Sequence, residues 1–209
     1  MFKKLLLSFV LIVGALLSIA LIRTLMHSAP EPTVNVGLTA DIDGEAATNN
    51  LAASIRFKTI SHQDKEKFSP QEFEGFIKWA ADTYPEFHSA MQLEMLEYTL
   101  LFKWEGSDNS LAPILLTAHY DVVPVIPGTE SIWEEEPFAG VISNNRIWGR
   151  GALDDKSGVV GMMEAATYLI QNNFQPTRTV YFSFGHDEEI GGGGAAQVTE
   201  KLKQEGVQL

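Results

Sequence analysis

The segment Thr179–Gly194, TVYFSFGHDEEIGGGG, opens as an apolar strand and ends in four consecutive ionisable residues, His186, Asp187, Glu188 and Glu189, before four glycines. Carboxylates packed this closely repel one another and are hard to keep ionised without a compensating cation. The next residues, GAAQVTEKLKQEG from Gly194, carry a helical pattern. A buried strand leading through a charged turn into a helix is a building unit of α/β sheets, whose functional groups gather at the carboxyl ends of strands.

The same alternation recurs elsewhere in the chain. APILLTAHYD, from Ala112, is apolar almost throughout, the pattern of a strand covered on both faces. In EYTLLFKWEG, from Glu97, Tyr98, Leu100, Phe102 and Trp104 alternate as in a strand. SPQEFEGFIKWAADTYPEF, from Ser69, predicts a helix capped by Ser69, opened by Pro70 and stopped by Pro85. FAGVISNNRIWGRGA, from Phe138, predicts two short strands about an Asn-Asn turn, and DDKSGVVGMMEAATYLIQNN a helix with Val159, Val160 and Met163 inward. NLAASIRFKTIS, from Asn50, predicts a short amphipathic helix. The expected fold class is α/β, with a mixed, mainly parallel sheet and helices on both faces.

The chain has 209 residues, no cysteine and a formal net charge of −12. Without cysteine there is no disulfide frame and no thiolate ligand or nucleophile, so any metal must be held by His, Asp and Glu. The acidic balance excludes nucleic acid as the expected partner. The N-terminus stands apart. Lys3 and Lys4 precede an apolar run from Leu5 to Ile22, long enough to span a bilayer. The positive-inside rule places the lysines in the cytoplasm and the remainder outside. Residues 1–28 are therefore expected to be a signal anchor or a cleaved signal peptide, giving a membrane-anchored extracytoplasmic or a secreted protein. Residues 29–50, rich in Pro, Gly and Asn, read as a linker, and residues 51–209 as the globular part.

Three strand ends carry candidate chemistry. In LLTAHYDVVPV, His119 and Asp121 leave one face of an extended chain, so Asp121 can hold a ring nitrogen of a metal-binding His119. A hydrogen-bonded pair without metal fits the same spacing. In GRGALDDKSG, Asp154 and Asp155 open a helix. One Asp suffices as a cap, and a second is free to bind a cation. The stretch lacks the spacing of a phosphate-binding loop. In the opening segment, an extended Glu188–Glu189 would turn its carboxylates in different directions, one toward a cation and one toward water, the division of labour that metal-assisted hydrolysis needs. An exposed acidic turn is the plainer alternative.

Together, His-x-Asp, Gly-Arg-Gly-x-x-Asp-Asp-Lys and Glu-Glu, each at a strand end, resemble the M20 metallopeptidases. The phrases LLTAHYDVVPV, WEEEPFAGVISNNRIWGRGALDDKSG and FSFGHDEEIGG are similar to the branch of carboxypeptidase S and the N-fatty-acyl-amino-acid synthase/hydrolases, and a weaker likeness reaches back to RFKTIS at Arg56. The resemblance implies that His119 ligates one Zn2+, Asp154 bridges two, and Glu189 ligates the other. Asp121 orients His119, and Glu188 is the general base. It implies a cis bond after Asp154, with His186 and Asp187 in supporting positions. The implied activity is hydrolysis of amide bonds in peptides with a free C-terminus or in N-acyl amino acids by metal-activated water. Complete members carry a further acidic ligand, a late His and an inserted dimerisation domain, so the chain is expected to be an N-terminal part, incomplete as an enzyme by itself, of a homodimeric full-length form. The alternative is a short, inactive, membrane-tethered product that binds metal or a partner.

Overall fold

A computed structural model describes residues 2–27 and 40–209. It divides into two compact units, Met1–Ala40 and Asp41–Leu209. In the first, α1 spans Phe2–Leu25, a helix of 24 residues long and apolar enough to cross a membrane. At 1.5 Å per residue it covers about 36 Å, against about 30 Å of bilayer hydrocarbon.

Residues 29–39 of the expected linker lie outside the described residues. The rest is not all linker. Helix α2 runs over Gly44–Ile55, because the Asp43 carboxylate accepts the amides of Glu45 and Ala46 at 3.0 Å each. The folded part therefore starts before residue 51. Helix α3, Pro70–Thr83, has the expected bounds and Pro70 in its first turn, but the Ser69 side chain makes no cap bond. Pro85 ends α3 and opens a short α4, Pro85–Ala90. Next come β1, Gln92–Leu96, β2, Thr99–Trp104, and β3, Ile114–His119. A hairpin follows, β4, Val141–Ser143, with β5, Arg146–Trp148, turned by Asn144 and Asn145 at φ of 50° and 59°. Last are α5, Lys156–Gln171, β6, Val180–Gly185, and α6, Gly194–Gln204.

The main sheet has the order β1-β2-β6-β3. It is mixed, but only β3 with β6 is parallel; β1 with β2 and β2 with β6 are antiparallel. The expectation of a mainly parallel sheet is thus corrected for the described residues. The cause is the hairpin turned at Glu97, whose φ of 56° reverses the chain within two residues. β1 itself escaped the sequence reading, because QLEML offers one short, half-exposed strand with no strong alternation.

Side-chain alternation along β2 and β6 places the two cores. Leu100, Phe102, Phe182 and Phe184 face α3, α4 and α5, where Phe73, Phe76, Phe87 and Met163 are fully buried. Leu101 and Tyr181 face the other side, with Val198 and Leu202 of α6. Each such burial stabilises by roughly 1.5–3 kcal/mol. Helices thus cover both faces, and the carboxyl ends of β3 and β6 meet at His119 opposite Gly185.

Candidate metal centre

His119 ends β3, and Asp121 follows it, wholly buried. The imidazole Nδ1 lies 3.4 Å from Asp121 Oδ1 and 3.2 Å from the Asp121 carbonyl oxygen, which leaves Nε2 directed at Asp154 Oδ1, 3.1 Å away. Such an arrangement fixes a ring for metal binding through its free nitrogen. Asp154 and Asp155 divide the work between them. The Asp155 carboxylate accepts the Gly158 amide at 3.1 Å and caps α5, and a Cβ at residue 158 would sit 2.5 Å from that oxygen, so the cap requires glycine there. The Asp154 side chain, 75 % exposed, takes no part in the cap. The peptide bond between them is cis, as the resemblance implies.

Glu188 and Glu189 are not extended. They form a 3-10 turn, Glu188–Ile190, closed by Gly191 at φ 62°. The turn is short because the Asp121 carboxylate takes both amides, Glu188 N at 3.2 Å and Glu189 N at 3.1 Å, drawing the backbone over itself. Glu189 still reaches the others: His119, Asp154 and Glu189 each present one ligand atom, and all three atoms lie within 4.8 Å of one another. Glu188 stands beside them, with Oε2 3.7 Å from His119 Nε2. All five residues singled out in the sequence meet at this one place.

The imidazole of His119 is held up to about 9, chiefly by its bond to Asp121. Burial pushes the Asp121 carboxyl up, but the donors His119, Ser61 and the two turn amides outweigh it and hold it below the usual carboxylate range. Burial, and then the charge of Asp154, raises Glu189. The flanking residues are structural. Both Asp187 oxygens accept the Gly194 amide at 3.1 Å, and a Cβ at Gly192 would fall 2.0 Å from Asp187 Oδ2, so the glycine run makes room for a carboxylate of the fold. His186 is buried, with Nδ1 2.7 Å from Thr99 Oγ1. The sequence reading missed Ser61, whose hydroxyl donates to Asp121 Oδ2 at 2.6 Å. Its only signal was the RFKTIS similarity, with nothing to connect it to Asp121.

The donor set of one imidazole and two carboxylates, without thiolate, suits zinc, and a catalytic zinc site keeps three protein ligands and one open position. The three residues fit one such ion.

Comparison with known proteins agrees with the geometry. Residues 115–209 match the model of peptidase family M20/M25/M40. The chain is 36 % identical over 195 residues to a probable carboxypeptidase S-like 2 of Dictyostelium discoideum, covering 89 % of this chain and 37 % of that protein. It is 40 % identical over 164 residues to the N-fatty-acyl-amino acid synthase/hydrolase of Mus musculus, covering 76 % of this chain and 32 % of that one. The chain thus spans about a third of the length of these curated relatives. Among solved structures, human carnosine dipeptidase 1 shares the fold, with a TM-score of 0.63 at 21 % identity over 76 % of this chain and 35 % of that one.

Proposed function

The chain belongs to peptidase family M20/M25/M40, in its carboxypeptidase S-like branch, and from that premise we propose that it forms the N-terminal part of a zinc-dependent amide hydrolase. The observation that carries this reading is the convergence of His119, Asp154 and Glu189 within 4.8 Å, with Glu188 alongside. The substrates we assign are peptides with a free C-terminus or N-acyl amino acids, the classes named by the matched carboxypeptidase S-like and N-fatty-acyl-amino acid relatives.

In this reading His119, Asp154 and Glu189 would hold the zinc, with the remaining ligands coming from residues outside this chain. Zinc held there would polarise the scissile carbonyl and acidify water. Asp121 keeps Nδ1 of His119 occupied, so that Nε2 stays a ligand. Glu188, whose side chain is 62 % exposed, is free of any cap or ladder role. It takes the proton from the attacking water and returns it to the leaving amine nitrogen. α1 would tether the molecule, with Lys3 and Lys4 on the cytoplasmic side and the rest beyond the membrane.

Two measurements test this. Calorimetric titration of the metal-free chain should show zinc binding that Glu188→Gln retains; a chain that takes up no zinc would overturn the metal centre. In the complete protein, Glu188→Gln should slow hydrolysis of an N-acyl amino acid or a dipeptide by about 10²–10⁴-fold at unchanged zinc content. Undiminished turnover would remove Glu188 as the base.

A further inference from the structure

The segment Thr59–Ser61 lies outside the three motifs, yet it is built onto the metal loop. Ile60 pairs with Val122 as an isolated parallel bridge. The Val122 amide donates to the Thr59 carbonyl at 2.9 Å, and the Ser61 amide to the Val122 carbonyl at 3.2 Å. The Thr59 hydroxyl donates to the Tyr120 carbonyl. This bridge directs the buried Ser61 hydroxyl at Asp121 Oδ2, 2.6 Å away, the shortest of the bonds that Asp121 accepts. The Asp121 carboxylate then has two sets of duties. Oδ1 faces His119 Nδ1 and the Glu188 amide, and Oδ2 holds the Glu189 amide. One carboxylate therefore sets the ring of one candidate ligand and the backbone of the turn that carries another. Its orientation in a fully buried site depends on donors, because an unsatisfied carboxylate oxygen there is costly.

We propose that Ser61 is a positioning residue of the metal centre: by fixing the Asp121 carboxylate it holds the Glu188–Glu189 turn and the His119 ring in the geometry that accepts zinc. It touches no reacting atom, and acts through Asp121 alone. The proposal rests on the metal reading above for its consequence, but not for its structural core.

The test uses the whole chain in detergent with Ser61→Ala, which removes the donor, and Ser61→Thr, which keeps it. Amide hydrogen exchange is read without metal at Glu188 and Glu189, with the β6 amides of Phe182 and Phe184 as internal reference. Ser61→Ala should speed exchange at the two turn amides about tenfold relative to the reference, and Ser61→Thr should not. Zinc affinity should fall about tenfold or more in Ser61→Ala and be restored in Ser61→Thr. Unchanged turn amides in Ser61→Ala, or acceleration shared equally by the β6 amides, would overturn the positioning role whatever zinc does. If the unaltered chain binds no zinc, the metal reading fails while the exchange comparison still decides the role of Ser61. Should threonine prove too large for the site, the turn-to-reference ratio in Ser61→Ala decides alone.

Discussion

Asp155 accepts the Gly158 amide while its neighbour Asp154 reaches His119 Nε2 at 3.1 Å with its side chain otherwise in solvent. The two neighbours should therefore respond oppositely to mutation. Asp155→Ala should lower stability by about 0.5–2 kcal/mol, the cost of a lost helix cap, and leave zinc affinity largely intact. Asp154→Ala should leave the melting temperature of the metal-free chain nearly unchanged and abolish zinc binding. Thermal unfolding and calorimetry on the same two variants separate the roles; a shared phenotype would show that they do not divide as described. Which Asp caps is decided by the fold, and the metal role of Asp154 is what the resemblance implies; that one cap needs only one Asp was legible in the sequence. The next residue was not. Lys156 is fully buried, with Nζ donating to the carbonyls of Ser54 at 2.9 Å and Phe57 at 2.6 Å and lying over the Phe76 ring, and burial pulls its pKa down to about 7. It satisfies carbonyls at the end of α2, about a hundred residues away in the chain. Sequence alone gives a lysine at a helix start no reason to turn inward.

Among the elements, those with a long apolar period were readable: α3, α5, α6, β2 and β6 stand where the spacing predicts them. The failures share a cause. Gly44–Asn50 looks like linker by composition, and one side-chain cap at Asp43 converts it to helix. The Glu188–Glu189 turn looks extended after a strand, and two amide bonds to Asp121 curl it. Short elements are decided by partners rather than by propensity. At the scale of α4, His88 carries a pH consequence. Its imidazole packs on Phe87 and edge-on to Phe102, and burial holds its pKa below 6.5 despite the Tyr84 carbonyl at Nδ1. The unfolded chain then binds that proton more tightly than the folded one, so stability is present above pH 6.5 and is lost as pH falls through the window below it. His88→Leu should flatten the fall in melting temperature between about pH 7 and pH 5 relative to the unaltered chain. Parallel curves would show that His88 does not contribute to it.

At the scale of the whole molecule, the sheet is unevenly covered. Among the described residues no strand pairs with the outer edge of β3. Ile114 and Leu116 on that strand are each 38 % exposed, beside an apolar groove formed with Met162 and Leu169 of α5. β3 reads in sequence as covered on both faces, and the structure corrects this for the residues described. The α/β class, the apolar N-terminal helix, the order of the motifs and the candidate ligand types can be read from the chain alone, since these depend on residue chemistry, period and near-neighbour spacing. The antiparallel share of the sheet, the coiling of the glutamate turn, and the inward turn of Ser61 and Lys156 emerge only on folding. Each of these rests on a hydrogen bond or strand pairing between residues brought together by folding, and neither composition nor periodicity encodes which distant groups will meet.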